Sequence, residues 1–320
     1  VESVPEGPRK VVYRGGYYGR YLPSGHLAWV REGAVFAAPF DLETREITGP
    51  AVPVLENVDC SPQVASAQFA FSNDGTLVYV VGEGSASMPV HWLAKDGSPE
   101  TLRPDPVNWF RPRFSPFGDR LAVSVNDGVQ SDVWVYDWSR RTSSRLTFDP
   151  REDTSPVWAP DARRIVFASS RDGAFNLYWR SADGSGEIQR LTENENSQFP
   201  RSWHPDGTRI AFQESRPGTQ ADLMILDLVD DGQTGRTPGE PWVFLATPFA
   251  ETGPAFSPDG RWLAYRSTES GRNEVYVRPF PGPGSKWLVS TDGGASPRWS
   301  RTRPELLYMA LDRRVMTVPY

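Results

Sequence analysis

The stretch "SPDGRW" (residues 257–262) is a turn signal followed directly by an apolar strand. Pro presets the backbone angle that opens a tight turn, and Gly tolerates the positive φ that closes it. Closely similar stretches stand at four other places, as "SNDGTL" (72–77), "SPFGDR" (115–120), "APDARR" (159–164) and "HPDGTR" (204–209). The repetition predicts one hairpin turn that is used again in successive copies of a β-structured unit.

An aromatic residue precedes each of these turns and sets the length of the repeat. These aromatic anchors, 43 to 53 residues apart, are Tyr21, Phe71, Phe114, Trp158, Trp203, Phe256 and Trp299. A period of about 40–45 residues is typical of β-propellers, in which each blade has four strands. Segment 155–192 shows the unit most clearly, with four strand-like runs separated by turns. We expect each anchor to wedge between neighbouring blades.

The number of anchors predicts an all-β, seven-bladed β-propeller that occupies residues 1–320 as a single domain. The last repeat ends after its third strand, and "RKVVYR" (9–14) has the pattern of an unpaired fourth strand. Adding this N-terminal strand to the last blade would close the ring and remove two exposed strand edges. A ring of six blades with extra strands is the alternative.

Composition limits the classes of protein and partner. Of the 320 residues, 38% are hydrophobic and 23% are charged, which is enough apolar surface for a folded core. The net charge of −6 argues against nucleic acid and anionic lipid as partners. Because no apolar run approaches the ~20 residues that span a bilayer, no membrane span is expected. Residue 1 is Val, which fits a processed chain or a piece of a longer one.

The repeat resembles that of the TolB-type, WD-like β-propeller family. The resemblance rests on "GPAFSPDGRWLAYRS", "FPRSWHPDGTRIAFQES", "SPVWAPDARRIVFASS" and "QRLT", and it extends over about residues 10–320. The first unit is also similar to extracytoplasmic propeller regions of bacterial membrane-anchored serine/threonine kinases, although the kinase motifs are absent. The resemblance implies a protein-binding platform that is periplasmic or extracytoplasmic and peripheral to a membrane.

Polar residues recur in the loops that lead into the first strand of each unit. Five residues before the anchors stand Asp153, Gln198 and Glu251. They predict a channel mouth that binds a basic peptide or a cation, or else ordinary solvated carboxylates. Arginines recur on the same strands, at Arg20, Arg111, Arg113, Arg201 and Arg298. We expect these arginines to face the channel and pair with the carboxylates, with an anion site as the alternative.

Two further segments are candidate contacts for a partner protein. In "VNWFRPRF" (107–114), Trp109 and Phe110 occupy what the pattern predicts to be a connection, beside Arg111. Exposed aromatic residues next to arginine are typical interface anchors, and packing beneath the loop is the alternative. The polar insertion 229–241 is the second segment.

No motif of a catalytic or metal centre is present. The chain has no Gly-x-Ser-x-Gly elbow and no His-Glu-x-x-His zinc pattern. The three histidines, His26, His91 and His204, stand at different positions of the repeat, and the lone Cys60 fits a small apolar filler. We therefore expect no cofactor, with calcium at the channel mouth as the alternative.

These observations predict a non-enzymatic interaction or scaffold propeller. It would be an accessory subunit of a membrane-associated complex, or the sensor region of a larger envelope protein. Two alternatives stay open. A hydrolase or lyase would use carboxylates or calcium near Asp153 and Glu251, and a small-ligand sensor would bind its ligand beside Trp109.

Overall fold

The computed structural model describes strands, turns and bends, and no helix occurs in the residues that it describes. From 60 to 107 it describes the backbone alone. The described residues are 12–13, 16–22, 24–31, 33–56, 58, 60–61, 66–67, 69–71, 77–79, 88–93, 99–107, 109–126, 130–230, 232, 235–282, 284–301, 303–312 and 314–320. The prediction of an all-β propeller-like fold is confirmed within these ranges.

The chain divides into two compact units, Val1–Asn108 and Trp109–Tyr320. In the first unit, one sheet contains β1 to β5, and three two-stranded pairs follow it in the orders β6-β7, β8-β9 and β10-β11. The strands are β1 Tyr17–Leu22, β2 His26–Arg31, β3 Ala34–Asp41, β4 Glu46–Ile47, β5 Val52–Leu55, β6 Cys60–Ser61, β7 Ser66–Ala67, β8 Phe69–Phe71, β9 Leu77–Tyr79, β10 Met88–Leu93 and β11 Pro99–Val107.

The second unit contains five antiparallel sheets, each built from consecutive strands. The first sheet has β12 Trp109–Phe114, β13 Arg120–Asn126, β14 Ser131–Asp137 and β15 Thr142–Arg145. The second has β16 Asp153–Trp158, β17 Arg164–Ser169, β18 Asn176–Ser181 and β19 Gln189–Arg190. The third has β20 Gln198–Trp203, β21 Arg209–Glu214, β22 Asp222–Asp230, β23 Arg236–Pro238 and β24 Trp242–Leu245. The last two have β25 Glu251–Phe256, β26 Trp262–Ser267, β27 Glu274–Pro279 and β28 Trp287–Leu288, then β29 Ala295–Trp299, β30 Glu305–Met309 and β31 Val315–Pro319.

The repeated turn joins the first and second strands of these sheets, as predicted. In "SPDGRW", the Gly260 amide donates to the Ser257 carbonyl at 2.9 Å, and Gly260 has φ 73°. The Asp259 carboxylate accepts the Arg261 amide at 3.1 Å, which fixes the chain on the far side of the turn. Gly118 and Gly207 also have φ 73° in their turns. The turn at 72–76 lies outside the described residues.

The core of the second unit lies between successive sheets. Trp158 packs against Val133 and Val135 of the preceding sheet, and its indole N–H donates to the Arg113 carbonyl at 2.9 Å. Trp299 makes the same bond to the Ala255 carbonyl at 2.9 Å. The anchors of these sheets therefore wedge between neighbours as expected.

Two anchors differ from this expectation. Phe114 is 42% exposed and Tyr21 is 44% exposed. Phe114 packs against Trp138 of its own sheet, with ring centroids 6.0 Å apart, and Tyr21 lies 6.1 Å from Phe40 of its own sheet. Rings that pack within their own sheet leave one face open to solvent.

Candidate functional site

The first strands of the five sheets of the second unit form a continuous inner row. β12 contacts β16, β16 contacts β20, β20 contacts β25, and β25 contacts β29. The loops that lead into these strands therefore share one end of the row. We name segments 146–152, 191–197, 246–250 and 289–294 the entrance loops. The repeated turns share the opposite end.

A β-bulge interrupts each first strand at the same distance from its anchor. The residue three positions before the anchor has a left-handed backbone in β12, β16, β25 and β29, and also in β1 of the first unit. These residues are Arg111, Ser155, Gly253, Ser296 and Tyr18, with φ between 54° and 64°. The pairing register shifts at the same point in every case. In β20 the equivalent residue is Pro200, whose ring excludes positive φ, yet the register still shifts there.

The bulges reorient side chains on the inner row. A left-handed backbone at a non-glycine residue costs about 1–3 kcal/mol, so it persists only where the surrounding structure holds it. Ser155 is held by the Ser124 hydroxyl, which accepts its amide at 3.1 Å. Arg111 donates to the Ser155 hydroxyl at 2.9 Å, which links the bulges of two neighbouring sheets.

Four guanidinium groups converge on this inner row. We name Arg111, Arg113, Arg201 and Arg298 the arginine cluster. The guanidinium groups of Arg111 and Arg201 both contact the Phe199 ring, each 5.9 Å from its centroid. Arg113 and Arg298 each stand directly before an anchor, and each donates to the carbonyl of the proline before it, at 3.0 Å and 2.9 Å. The cluster thus combines side chains from three sheets.

Burial and mutual repulsion destabilise the charges of the cluster. Burial, and after it the charges of Arg298, Arg201 and Arg111, hold the pKa of Arg113 well below its usual range. Burial and the neighbouring arginines lower the pKa of Arg201 to about 9. Burial also lowers the pKa of Arg298 and of Arg111. A bound negative charge would remove this penalty.

The expected pairing of these arginines with the loop carboxylates is wrong for the second unit. Among the residues that the structure describes, no carboxylate lies within the 4.0 Å ion-pair distance of the four guanidinium groups. Asp153 pairs instead with Arg171, at 3.2 Å. The physical reason is direction: Asp153 begins β16 at the loop end, and Arg171 follows β17 at that same end.

The structure corrects both predictions for Asp153, Gln198 and Glu251. These side chains neither line a channel mouth that binds a ligand nor lie in solvent. Their exposed fractions are 0%, 1% and 1%. Gln198 accepts a bond from the Thr192 hydroxyl and donates to Glu214 at 2.6 Å. Glu251 accepts the hydroxyls of Thr247 and Ser267. The three residues thus join loop to strand within the blades, where burial raises the pKa of Asp153 and of Glu251.

Trp109 and Phe110 do not lie in a connection, because they are the first two residues of β12. Trp109 pairs with Val125 and Phe110 with Ser124. Both side chains are half-buried, and the Trp109 ring lies 6.0 Å from that of Tyr136. The strand pairing draws them into the sheet, and they stand at its entrance-loop end.

The entrance loops expose aromatic residues that the sequence reasoning missed. Phe148 is 63% exposed and Phe249 is 40% exposed. Exposed acidic residues accompany them, among them Glu152, Glu193 and Asp292. An aromatic residue directly after the threonine or proline of the loop was the available signal, in "LTFDP" and "TPFAE".

The predicted insertion is partly a hairpin. β22 extends to Asp230, and β23 pairs back along it before β24 resumes the sheet. Val229 is 56% exposed there. The described part of the insertion is therefore a strand pair rather than an open loop.

The two histidines whose side chains the structure describes, His26 and His204, lie in separate environments. His204 packs edge-on against Phe256, with centroids 4.9 Å apart, and its Nδ1 lies 2.8 Å from Asp206. His26 stands beside Ser24. The side chains of His91 and Cys60 lie outside what the structure describes. Within the described residues, no group of three or more His, Cys, Asp or Glu could hold a metal ion, and no helix could span a membrane.

A comparison with family models matches residues 61–240 to the TolB beta propeller domain. Among curated proteins, an uncharacterized peptidase YuxL of Bacillus subtilis (strain 168) is 36% identical over 89 residues, which are 26% of this chain and 13% of that protein. The Tol-Pal system protein TolB of Wolinella succinogenes is 32% identical over 74 residues, 23% of this chain and 18% of that protein. The matched segments thus span a small part of both relatives.

Solved structures share the fold at low sequence identity. TolB from Acinetobacter baumannii is 20% identical, has a TM-score of 0.53, and is matched over 87% of this chain and 64% of that chain. An oligogalacturonate lyase in complex with manganese is 12% identical, with a TM-score of 0.52 over 95% of this chain and 88% of that chain. Both likenesses concern the fold alone.

Proposed function

Because the chain belongs to the TolB beta propeller domain family, we propose that it is a non-enzymatic protein-interaction module of the bacterial envelope. Its partner would be a protein of a membrane-associated complex, and its location periplasmic or extracytoplasmic. Two curated relatives named Tol-Pal system protein TolB support this choice of partner class. Fold and family alone do not dictate function, so a specific surface has to carry the proposal.

The exposed aromatic residues of the entrance loops support the proposed protein interaction. Phe148 and Phe249 stand in equivalent loops of two sheets. Polar residues at these exposed positions would suffice for the stability of a domain that has no partner. Aromatic side chains of this kind dominate the binding energy of protein interfaces when they enter pockets of a partner. Trp109 and Phe110 stand at the same end of β12 and extend the apolar part of the surface.

The charges around these rings define the partner further. Glu152, Glu193 and Asp292 are exposed in the same loops. The Asp292 side chain is 99% exposed and lies 3.7 Å from Arg272. Acidic residues at the rim steer a basic surface toward the site and raise the rate of association. The partner we propose therefore presents an apolar patch bordered by Lys or Arg.

We also propose that the propeller has seven blades. The five sheets of the second unit, with one sheet and three strand pairs in the first, fit seven blades. The last sheet has three described strands, β29 to β31, one fewer than the four of a typical blade. The predicted donor, segment 9–14, lies largely outside the described residues, and its pairing with β31 stays a prediction.

Site-specific photo-cross-linking in native envelope membranes tests the proposal. A photoreactive phenylalanine analogue would replace Phe148 in one variant and Phe249 in another. The control replaces Phe117, which is 74% exposed in the turn at the opposite end of the inner row. We expect the same protein adduct from the first two positions and none from the control. The same adduct from all three positions, or none from any, would contradict the proposal.

A further inference from the structure

The arginine cluster has no role in the proposed protein contact, which uses the entrance loops. Its members also differ from three arginines of the second unit that pair with carboxylates. Arg145 pairs with Asp132 at 2.6 Å, Arg171 pairs with Asp153, and Arg216 pairs with Glu214. None of the described carboxylates pairs with an arginine of the cluster.

The convergence of the cluster follows from the backbone. Arg301, two residues after one anchor, donates at 2.8 Å to the carbonyl of Ser115, one residue after another anchor. The ends of β29 and β12 therefore meet. Because Arg298 and Arg113 each stand directly before these anchors, they are brought to the same place from two different sheets.

The two other members are positioned by independent contacts. Arg111 and Arg201 both contact the Phe199 ring, and Gln213 accepts a bond from Arg201 Nε at 3.0 Å. Arg111 itself has the left-handed backbone of its bulge, with φ 54°. Side chains fixed by a strained backbone, a ring and an amide form a preorganised site rather than a set of solvated surface charges.

We propose that the arginine cluster binds a ligand with two or more carboxylate groups. Each planar guanidinium presents five donors in a fork that matches a carboxylate, and each member of the cluster uses few of its donors within the described protein. Positive charges distributed over three strands match several separate carboxylates better than one compact anion. The source is either a free polycarboxylic acid or an acidic segment of a protein.

Calorimetric titration of the full chain with citrate, with a hexaglutamate peptide and with inorganic phosphate tests this inference. We expect saturable binding of citrate or hexaglutamate with a dissociation constant below about 1 mM, and weaker binding of phosphate. Tighter binding of citrate identifies a free acid as the source, and tighter binding of hexaglutamate identifies a protein segment. Both results support the site.

Variants locate the binding. Arg113→Gln together with Arg298→Gln should weaken it by at least about tenfold, because charge-assisted hydrogen bonds are lost. The matched control removes two exposed charges, Arg261→Gln and Arg314→Gln, and should bind like the parent chain. Arg113→Lys retains the charge without the fork and should give an intermediate affinity.

Three results would overturn the inference. They are the absence of saturable binding for both carboxylate ligands, an equal loss in the control variant, and tighter binding of phosphate than of either carboxylate ligand. Circular dichroism of each variant shows whether it is folded. The entrance loops are unchanged in all these variants. A failure of the binding experiments would therefore overturn the ligand site without affecting the cross-linking test of the proposed function.

Discussion

At the scale of single residues, the glycine of the repeated turn has two different roles. Gly260 and Gly118 share φ 73°, so both turns need a left-handed residue. A Cβ added to Gly118 would meet nothing within 4 Å, whereas one added to Gly260 would clash with the imidazole of His204. His204 packs against both Phe256 and Phe280, and its Nε2 lies 3.1 Å from the Gly260 carbonyl, so its ring is restrained.

The pair Gly118→Ala and Gly260→Ala separates these roles. We expect Gly118→Ala to lower the free energy of unfolding by about 1 kcal/mol through the backbone alone. Gly260→Ala adds overpacking against His204 and should cost about 2–4 kcal/mol. Urea unfolding of both variants checks the order. Equal losses would show that His204 relaxes without cost.

Glu251 should make stability depend on pH. Burial raises its pKa, and the charge of Asp222 raises it further, while the hydroxyls of Thr247 and Ser267 lower it. A carboxyl whose folded pKa exceeds its unfolded value binds more protons when folded, so stability falls as pH rises from about 4 through the folded pKa.

Glu251→Gln removes this titration. The variant should gain stability relative to the parent chain between pH 4 and pH 7, and Gln198 already occupies the equivalent position of β20. Thermal unfolding at both pH values measures the difference. A constant difference across this range would show that Glu251 keeps its ordinary pKa.

The sequence allows the turn residues to be predicted but not the environment of the polar ones. Ser, Pro, Asp and Gly act within four residues, so their geometry can be read locally. Whether Asp153 is solvated depends on Arg171 and on the packing of two strands, which the pattern "TFDPREDTSP" does not contain. Burial of a residue at a strand end is a tertiary property.

At the scale of elements, a hydroxyl just after the fourth strand secures it to the third in three sheets of the second unit. The Thr192 hydroxyl accepts the Leu177 amide at 2.9 Å and donates to Gln198 of the next first strand. Thr147 accepts the Val133 amide at 2.9 Å, and Ser290 accepts the Val275 amide at 2.8 Å. The recurring "RLT" and "LVS" ends thus have a common structural role.

Thr192→Val tests this role, because it replaces the hydroxyl by a methyl group of similar size. The buried Leu177 amide would lose its partner, and we expect a loss of about 1–3 kcal/mol. Thr142→Val, at an exposed position of β15, is the control and should change stability by less than about 0.5 kcal/mol. Similar effects of the two substitutions in denaturant unfolding would refute the role.

The bulges show where prediction from the sequence ends at this scale. The repeat of anchors and turns predicts the first strands correctly in the second unit. The left-handed residues, however, are Tyr, Arg, Ser, Gly and Ser, which share no chemistry. Their backbone is imposed by the pairing with the second strand, so no local pattern marks it, and the direction of the arginines could not be derived.

At the scale of the whole molecule, the positions of the charges indicate more about its binding partners than the net charge does. The chain has a net charge of −6, yet four arginines converge on the inner row without a described carboxylate partner. Acidic residues lie on the exposed entrance loops instead. Such a separation costs stability and is explained if the inner row is kept for an anionic ligand and the loops for a basic partner surface.

Thermal unfolding of the ligand-free chain shows whether the arginine cluster serves ligand binding or the stability of the fold. The measurement compares the parent chain with Arg113→Gln/Arg298→Gln and with the exposed pair Arg261→Gln/Arg314→Gln. If the cluster serves binding, Arg113→Gln/Arg298→Gln removes repulsion between buried charges. Its unfolding midpoint should then be at least as high as that of the parent chain and of the exposed control pair. A clear fall in the midpoint for the inner pair alone would show that these arginines stabilise the fold, and would contradict the claim.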